Sequence, residues 1–245
     1  MSVHHNLNNV IHLNEKAIRF LTEGKHEEVA PTLDHAFSWM KSMVELQDGI
    51  GPGQSGQFLS ENTPYPKAHQ LVSSVQSIPI LDEDTLLVSS QTTNNNIFTF
   101  FNRAFSLSTN EAGGFISQMN RNGMTSILLY NKALYHHNRG ILYGNSKELE
   151  EALRLYSMSC TIIESSTDAI EIKDMNLFVL ALWNNMGHIH SNFFNVRNTQ
   201  VLMECMKGLI ESMEDPSMVQ EEFLIFYSNT FITSTDQALT IAPTA

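Results

Sequence analysis

Apolar residues recur at three- and four-residue spacing in paired stretches, and only a few residues join the members of each pair. Val10, Leu13, Ala17, Phe20 and Leu21 form one stripe, with Gly24 just beyond it. Val29, Leu33, Ala36, Phe37, Met40 and Val44 form the next. This spacing puts side chains on one face of a helix, and a glycine after the last periodic residue stops it. Two helices joined so tightly must run antiparallel, so the pattern dictates helical hairpins. Pro31 has no amide proton, so it is expected in a first turn or at a kink.

The pattern returns further along the chain. Ile127, Leu128, Tyr130, Ala133, Leu134 and His137 make a stripe within SILLYNKALYHHNRG. Asn145-Ser146 followed by Glu148 reads as a helix cap, opening a stripe through Leu149, Ala152, Leu153, Tyr156, Cys160 and Ile163. After Asp174 come Leu177, Leu180, Trp183, Gly187 and His190, then Val201, Leu202, Cys205, Met206 and Leu209. Asp215-Pro216, an acid followed by proline, is a start signal for a last helix through Val219, Phe223, Phe226 and Tyr227.

Residues 47–114 break this rhythm. DGIGPGQSG, with Pro64 and Pro66 after it, is loop-forming. IFTFFNRAFSLS is aromatic and alternating, so Ile97, Thr99, Phe101, Arg103, Phe105 and Leu107 are expected on one strand face. Val75 to Leu81 is a second strand candidate, confined to an edge by Pro79. A two-stranded hairpin is not stable alone, so the insertion must pack on the helices. The tail, residues 234–245, is expected to fray.

Within the third hairpin, Trp183, Met186-Gly187 and His190 keep the spacing W-x-x-L-G-x-x-Y, which resembles the tetratricopeptide repeat. The first hairpin places Leu13, Ala17 and Phe20, then Gly24, Val29, Leu33 and Ala36, at the family spacing. The second offers Leu129, Ala133 and His136, then Ala152, Tyr156 and Ser159, with GILYGNSKE as extra length between its helices. The resemblance implies one mainly α domain over residues 1–245, built as tetratricopeptide-like stacked helical hairpins, an α-α superhelix, with a small β-hairpin insertion. It also implies a concave groove lined by Asn14, Ile18, Tyr130, Leu134, His137, Asn184, His188 and Asn192, which takes a peptide or a partner helix. Chaperone-binding members of that family grip a C-terminal carboxylate with basic residues. Asn131 and Asn185 stand near the family's asparagine position, but the basic residues are absent here. The groove is therefore expected to be neutral, hydrogen-bonding and slightly aromatic.

Charge narrows the partners. The chain has 14 Lys and Arg against 26 Asp and Glu, a formal charge of -12, and no basic stripe to neutralise phosphates. After Lys207 only acids follow, which disfavours an anionic membrane surface. No stretch reads as a membrane span or a secretory signal, so cytosol or nucleus is expected. Cys160 and Cys205 are too few for a disulfide framework and read as reduced core thiols.

Chemistry is sparse. Residues one or two apart do not share a helix face, so neither His188 with His190 nor His136 with His137 makes a metal pair. There is no phosphate-binding loop, HExxH, Cys-x-x-Cys or nucleophile elbow, and Asp82-Glu83-Asp84 reads as a solvated loop. The expected function is a protein-binding module or scaffold without catalysis, cofactor or metal. The competing reading is a small-molecule-binding or hydrolytic pocket where the Phe98 to Phe105 strand covers the helices around His136 and His188. Convergence of histidines and acids in one enclosed site distinguishes it.

Overall fold

The computed structural model describes residues 3–48, 75–80, 98–107, 118–165, 175–213 and 222–230. Within them lie three helical hairpins. Helices α1 (Val3–Thr22) and α2 (His26–Asp48) form the first. A two-stranded sheet follows, β1 (Val75–Pro79) and β2 (Arg103–Leu107). The second hairpin is α3 (Gln118–Tyr143) with α4 (Ser146–Glu164), and the third is α5 (Asn176–Asn192) with α6 (Val196–Ser212). A short helix, α7, spans residues 223–230. Neighbouring hairpins meet through α2 against α3 and α4 against α5. The Gly49 to Pro66 loop, the acidic run at Asp82, Asp215-Pro216 and the tail lie outside the described residues.

The three hairpin turns share one geometry. Lys25, Asn145 and Asn195 each send a backbone N–H five residues back, to the carbonyls of Phe20, Gly140 and His190, at 2.8, 3.0 and 2.9 Å. That bond is the closing bond of a Schellman cap, which needs a left-handed residue just before it. Gly24 and Gly144 fill that position at φ 69° and 59°. In the third turn Phe194 does so at φ 54°, with its ring 78% exposed.

Several expectations are corrected. Ile141, Leu142 and Tyr143, read as spacer, are the last residues of α3, and α4 starts at Ser146 behind the Asn145 cap. The cap's side chain accepts from Lys147 N at 3.1 Å. Gly140 thus sits inside α3, where a Cβ would stand 2.5 Å from the Leu149 side chain, so it is Gly140 that lets α4 approach. Farther along the same pair, Ser159 Oγ donates to Ser126 O at 2.9 Å and Ser126 Oγ to Ser159 O at 3.3 Å, tying α3 to α4. Pro31 lies in the second turn of α2, not the first; the N–H it lacks would have met the Glu27 carbonyl. Cys205 is exposed and not a core thiol, whereas Cys160 is partly buried and packs against the core.

The sheet is antiparallel, with Val75 opposite Leu107 and Pro79 opposite Arg103. Pro79 ends its strand, where a missing donor costs least. Burial does not alternate along the segment: Phe101, Asn102, Ala104 and Phe105 are all buried. Packing on both sides overrides the period-two pattern.

Left-handed φ costs a residue with a Cβ about 1–2 kcal/mol, and the exposed Phe194 ring gives up little contact on removal. Phe194→Gly is therefore expected to raise stability by about 0.5–1 kcal/mol after glycine's own entropy cost. Urea denaturation measures it; a loss of stability contradicts the cap geometry.

Candidate functional site

Residues 98–107 form an extended segment lying across the first helices of all three hairpins and α7. A buried main chain must find partners for its N–H and C=O groups. β1 serves only one edge of this segment: the Asn102 carbonyl, for example, accepts from Ile80 N at 3.2 Å. The other edge faces helices whose own backbones are already paired, so side chains must supply the bonds.

They do so at odd-numbered residues, as the two-residue period of an extended chain requires. Asn131 Oδ1 accepts from Phe105 N at 2.9 Å while its Nδ2 donates to Phe105 O at 2.8 Å. Asn185 repeats the two-pronged grip on Phe101, at 3.0 Å to the N–H and 3.1 Å to the carbonyl. Glu15 Oε1 accepts from Leu107 N at 3.1 Å, and Asn229 Oδ1 from Thr99 N at 3.1 Å. One acceptor thus comes from each of α1, α3, α5 and α7. Glu15, Asn131 and Asn185 precede Ala17, Ala133 and Gly187 by two residues, so they occupy one position of the repeated helical pattern.

The neighbouring position supports the grip. Asn14 Nδ2 donates to Phe105 O at 3.1 Å, and Asn14 Oδ1 accepts from Asn131 at 2.8 Å. Asn184 Nδ2 donates to Thr99 O at 2.9 Å. Tyr130 holds its ring 5.0 Å edge-on to Phe105, while its hydroxyl accepts from Asn185 at 3.0 Å. Burial, opposed by the Asn185 amide, keeps the Tyr130 and Tyr156 phenols far above their ordinary range. Phe105 also meets Phe178, and Phe101 meets Phe226, each at 5.0 Å.

Among the described residues, two histidines converge at one point. His137 from α3 and His188 from α5 lie 2.9 Å apart, Nε2 to Nδ1, beneath the Phe100 ring, which is 4.1 Å from His137. His188 Nδ1 also takes the Asn192 amide at 3.3 Å, and Tyr156 stands 3.5 Å from the far nitrogen of His137. Tyr156 therefore donates to His137, which donates to His188, a polarity that needs both rings neutral. Burial drives both below the ordinary histidine value, with mutual repulsion adding to it for His137; His188 falls to about 4. His136 points to Glu148, at 2.6 Å, beside Arg139. Among the described residues, no three His, Cys, Asp or Glu side chains cluster as a metal site.

Of the eight residues placed in a groove from sequence, seven are buried and Asn192 is half-buried. Asn14 and Asn184 bond to the segment, Tyr130 and His137 pack their rings on it, and His188 and Asn192 complete the histidine cluster. Ile18 and Leu134 belong to the apolar core. Glu15 and Asn229 escaped notice, although Glu15 shares the position of Asn131 and Asn185. Gly187 is explained differently as well: a Cβ there would lie 2.8 Å from the Phe98 ring, so its smallness admits the segment. Neither a family model, a curated protein nor a solved structure matches the chain.

Two outcomes follow from this geometry. Asn185→Ala strands the buried N–H and C=O of Phe101 and is expected to cost about 2 kcal/mol or more, whereas Asn192→Ala should stay within about half a kcal/mol. Equal losses in urea denaturation contradict the clamp.

For pH, an unfolded histidine takes its proton near 6.5, whereas folded His188 resists until about 4. Between those values the unfolded chain binds more protons, so acid removes stability across that window, and above it the contribution is complete. Stability at pH 5 is expected to lie roughly 2 kcal/mol below that at pH 7 from this residue. A flat profile between those two pH values contradicts a neutral buried pair.

Proposed function

We propose that this protein is an interaction module, a tetratricopeptide-like superhelix of stacked hairpins whose concave face recognises an extended peptide. One observation carries the reading: four side-chain oxygens, on four helices, take the N–H groups of Thr99, Phe101, Phe105 and Leu107. Such contacts read main chain, so any extended peptide in that register offers the same donors and acceptors. Segment 98–107 is then a resident ligand, and a partner exchanges with it. A scaffold role without catalysis suits the histidine pair, held neutral by burial beneath a phenylalanine ring. A protein or peptide is the partner, met in the cytosol or nucleus.

The test weakens the resident and supplies its replacement. Phe105→Ala in the full chain should lower stability by about 3–5 kcal/mol, since a fully buried ring is removed. A synthetic peptide of residues 97–108, in excess, should then bind and recover part of the lost melting temperature, as ligand linkage requires. A scrambled peptide should not. No recovery with the native peptide would show that the segment is permanent core and that the groove receives no partner.

A further inference from the structure

The amide clamps read main chain and carry little information about side chains. Side chains are read as well: Asn138 donates to Asn102 Oδ1 at 2.8 Å, and two carboxylates hold further side chains of the segment. Glu222, at the start of α7, pairs with Arg103 at 2.7 Å, with side-chain exposures of 19% and 26%. Ser77 of β1 donates its hydroxyl to the same Glu222 oxygen, receives Arg103 Nε at 3.0 Å, and offers its carbonyl to Arg103 Nη2 at 3.4 Å. Towards the other end, Glu15 accepts the Ser106 hydroxyl at 2.7 Å. Both carboxylates take protons from the segment, so an acid at either register would face a like charge. Between the two, Ala104 is fully buried, flanked by the phenylalanines at 101 and 105.

We propose, on the strength of the peptide-groove reading, that Glu222 selects the ligand: an extended peptide with a cationic side chain at the register of Arg103, a small residue next, and aromatic residues at the registers of Phe101 and Phe105. The physical reason is desolvation. A half-buried ion pair loses more when one partner leaves than it gained on forming, because the remaining charge stays partly shielded from water. A peptide that displaces the segment removes Arg103 from Glu222 and must return a cation. The chain's formal charge of -12 also draws a cationic peptide rather than an acidic one.

The test is a charge exchange. Fluorescein-labelled peptides of residues 97–108, the native one and its Arg103→Glu form, are titrated by anisotropy against the full-length wild type and its Glu222→Lys variant. Wild type should favour the native peptide by roughly tenfold or more. Glu222→Lys should reverse that preference, helped by repulsion of its own Arg103, and high salt should shrink both preferences. Glu222→Gln, which introduces no new charge, should abolish the preference and serves if the lysine variant folds poorly. An unchanged ratio of the two affinities across these proteins overturns the selectivity while leaving peptide binding intact. If neither peptide binds any of them, and the native one also fails with Phe105→Ala, the groove reading falls together with it.

Discussion

The structure depends on satisfying the main chain of one buried strand. Residues 98–107 bring phenylalanines into the middle of the helices, and their backbone must come with them. A second strand would ordinarily pair the inner edge, but that edge meets helices whose amides are already engaged. Side-chain amides are the available substitute, since each carries a donor and an acceptor in the fork a peptide group needs. Asn131 and Asn185 supply that fork, and Glu15 and Asn229 extend it in both directions. Each unpaired buried group would cost about 1–3 kcal/mol, so the four helices are held in register by what the strand demands of them.

Packing follows from the same arrangement. Gly187 is small because Phe98 lies on it, and Phe105 fits among Phe101, Tyr130 and Phe178 because Asn131 fixes its backbone. The histidine pair belongs to this layer too. Joined to each other, Tyr156 and Asn192, the two rings stay neutral and lie tilted beneath Phe100. Charge is kept to the margins, where Glu15 and Glu222 hold side chains of the segment. The helices are thus polar enough to hold the segment's backbone and apolar enough to bury its rings.

The helical hairpins were legible because their spacing comes from local geometry: Leu13, Ala17 and Leu21 lie on one face whatever surrounds them. Gly24 and Asn145 marked their turns for the same reason. Gly140 was misread as spacer because a glycine stops a helix or admits a neighbour, and only the position of Leu149 decides between these roles. The segment's alternation did not foretell its burial, because Asn102 and Ala104, on the other face, are covered as well. The amide-rich face of the first helices was visible in Asn14, Asn131, Asn184 and Asn185, all of which bond to the segment. That an insertion from the same chain lies on it was not, since no local pattern tells a strand which surface to cover. His137 and His188 stand on different helices, and helix-face arguments confined to one helix cannot bring them together.

Residue-resolved amide hydrogen exchange on the full-length protein tests the clamp most directly. If side chains from four helices hold the segment, the N–H groups of Thr99, Phe101, Phe105 and Leu107 should exchange as slowly as the core amides of α3 and α5. Asn185→Ala should release Phe101 first. Fast exchange at these four positions, alongside protected helices, would contradict the account, because it would leave the segment resting on the helices without being bound by them.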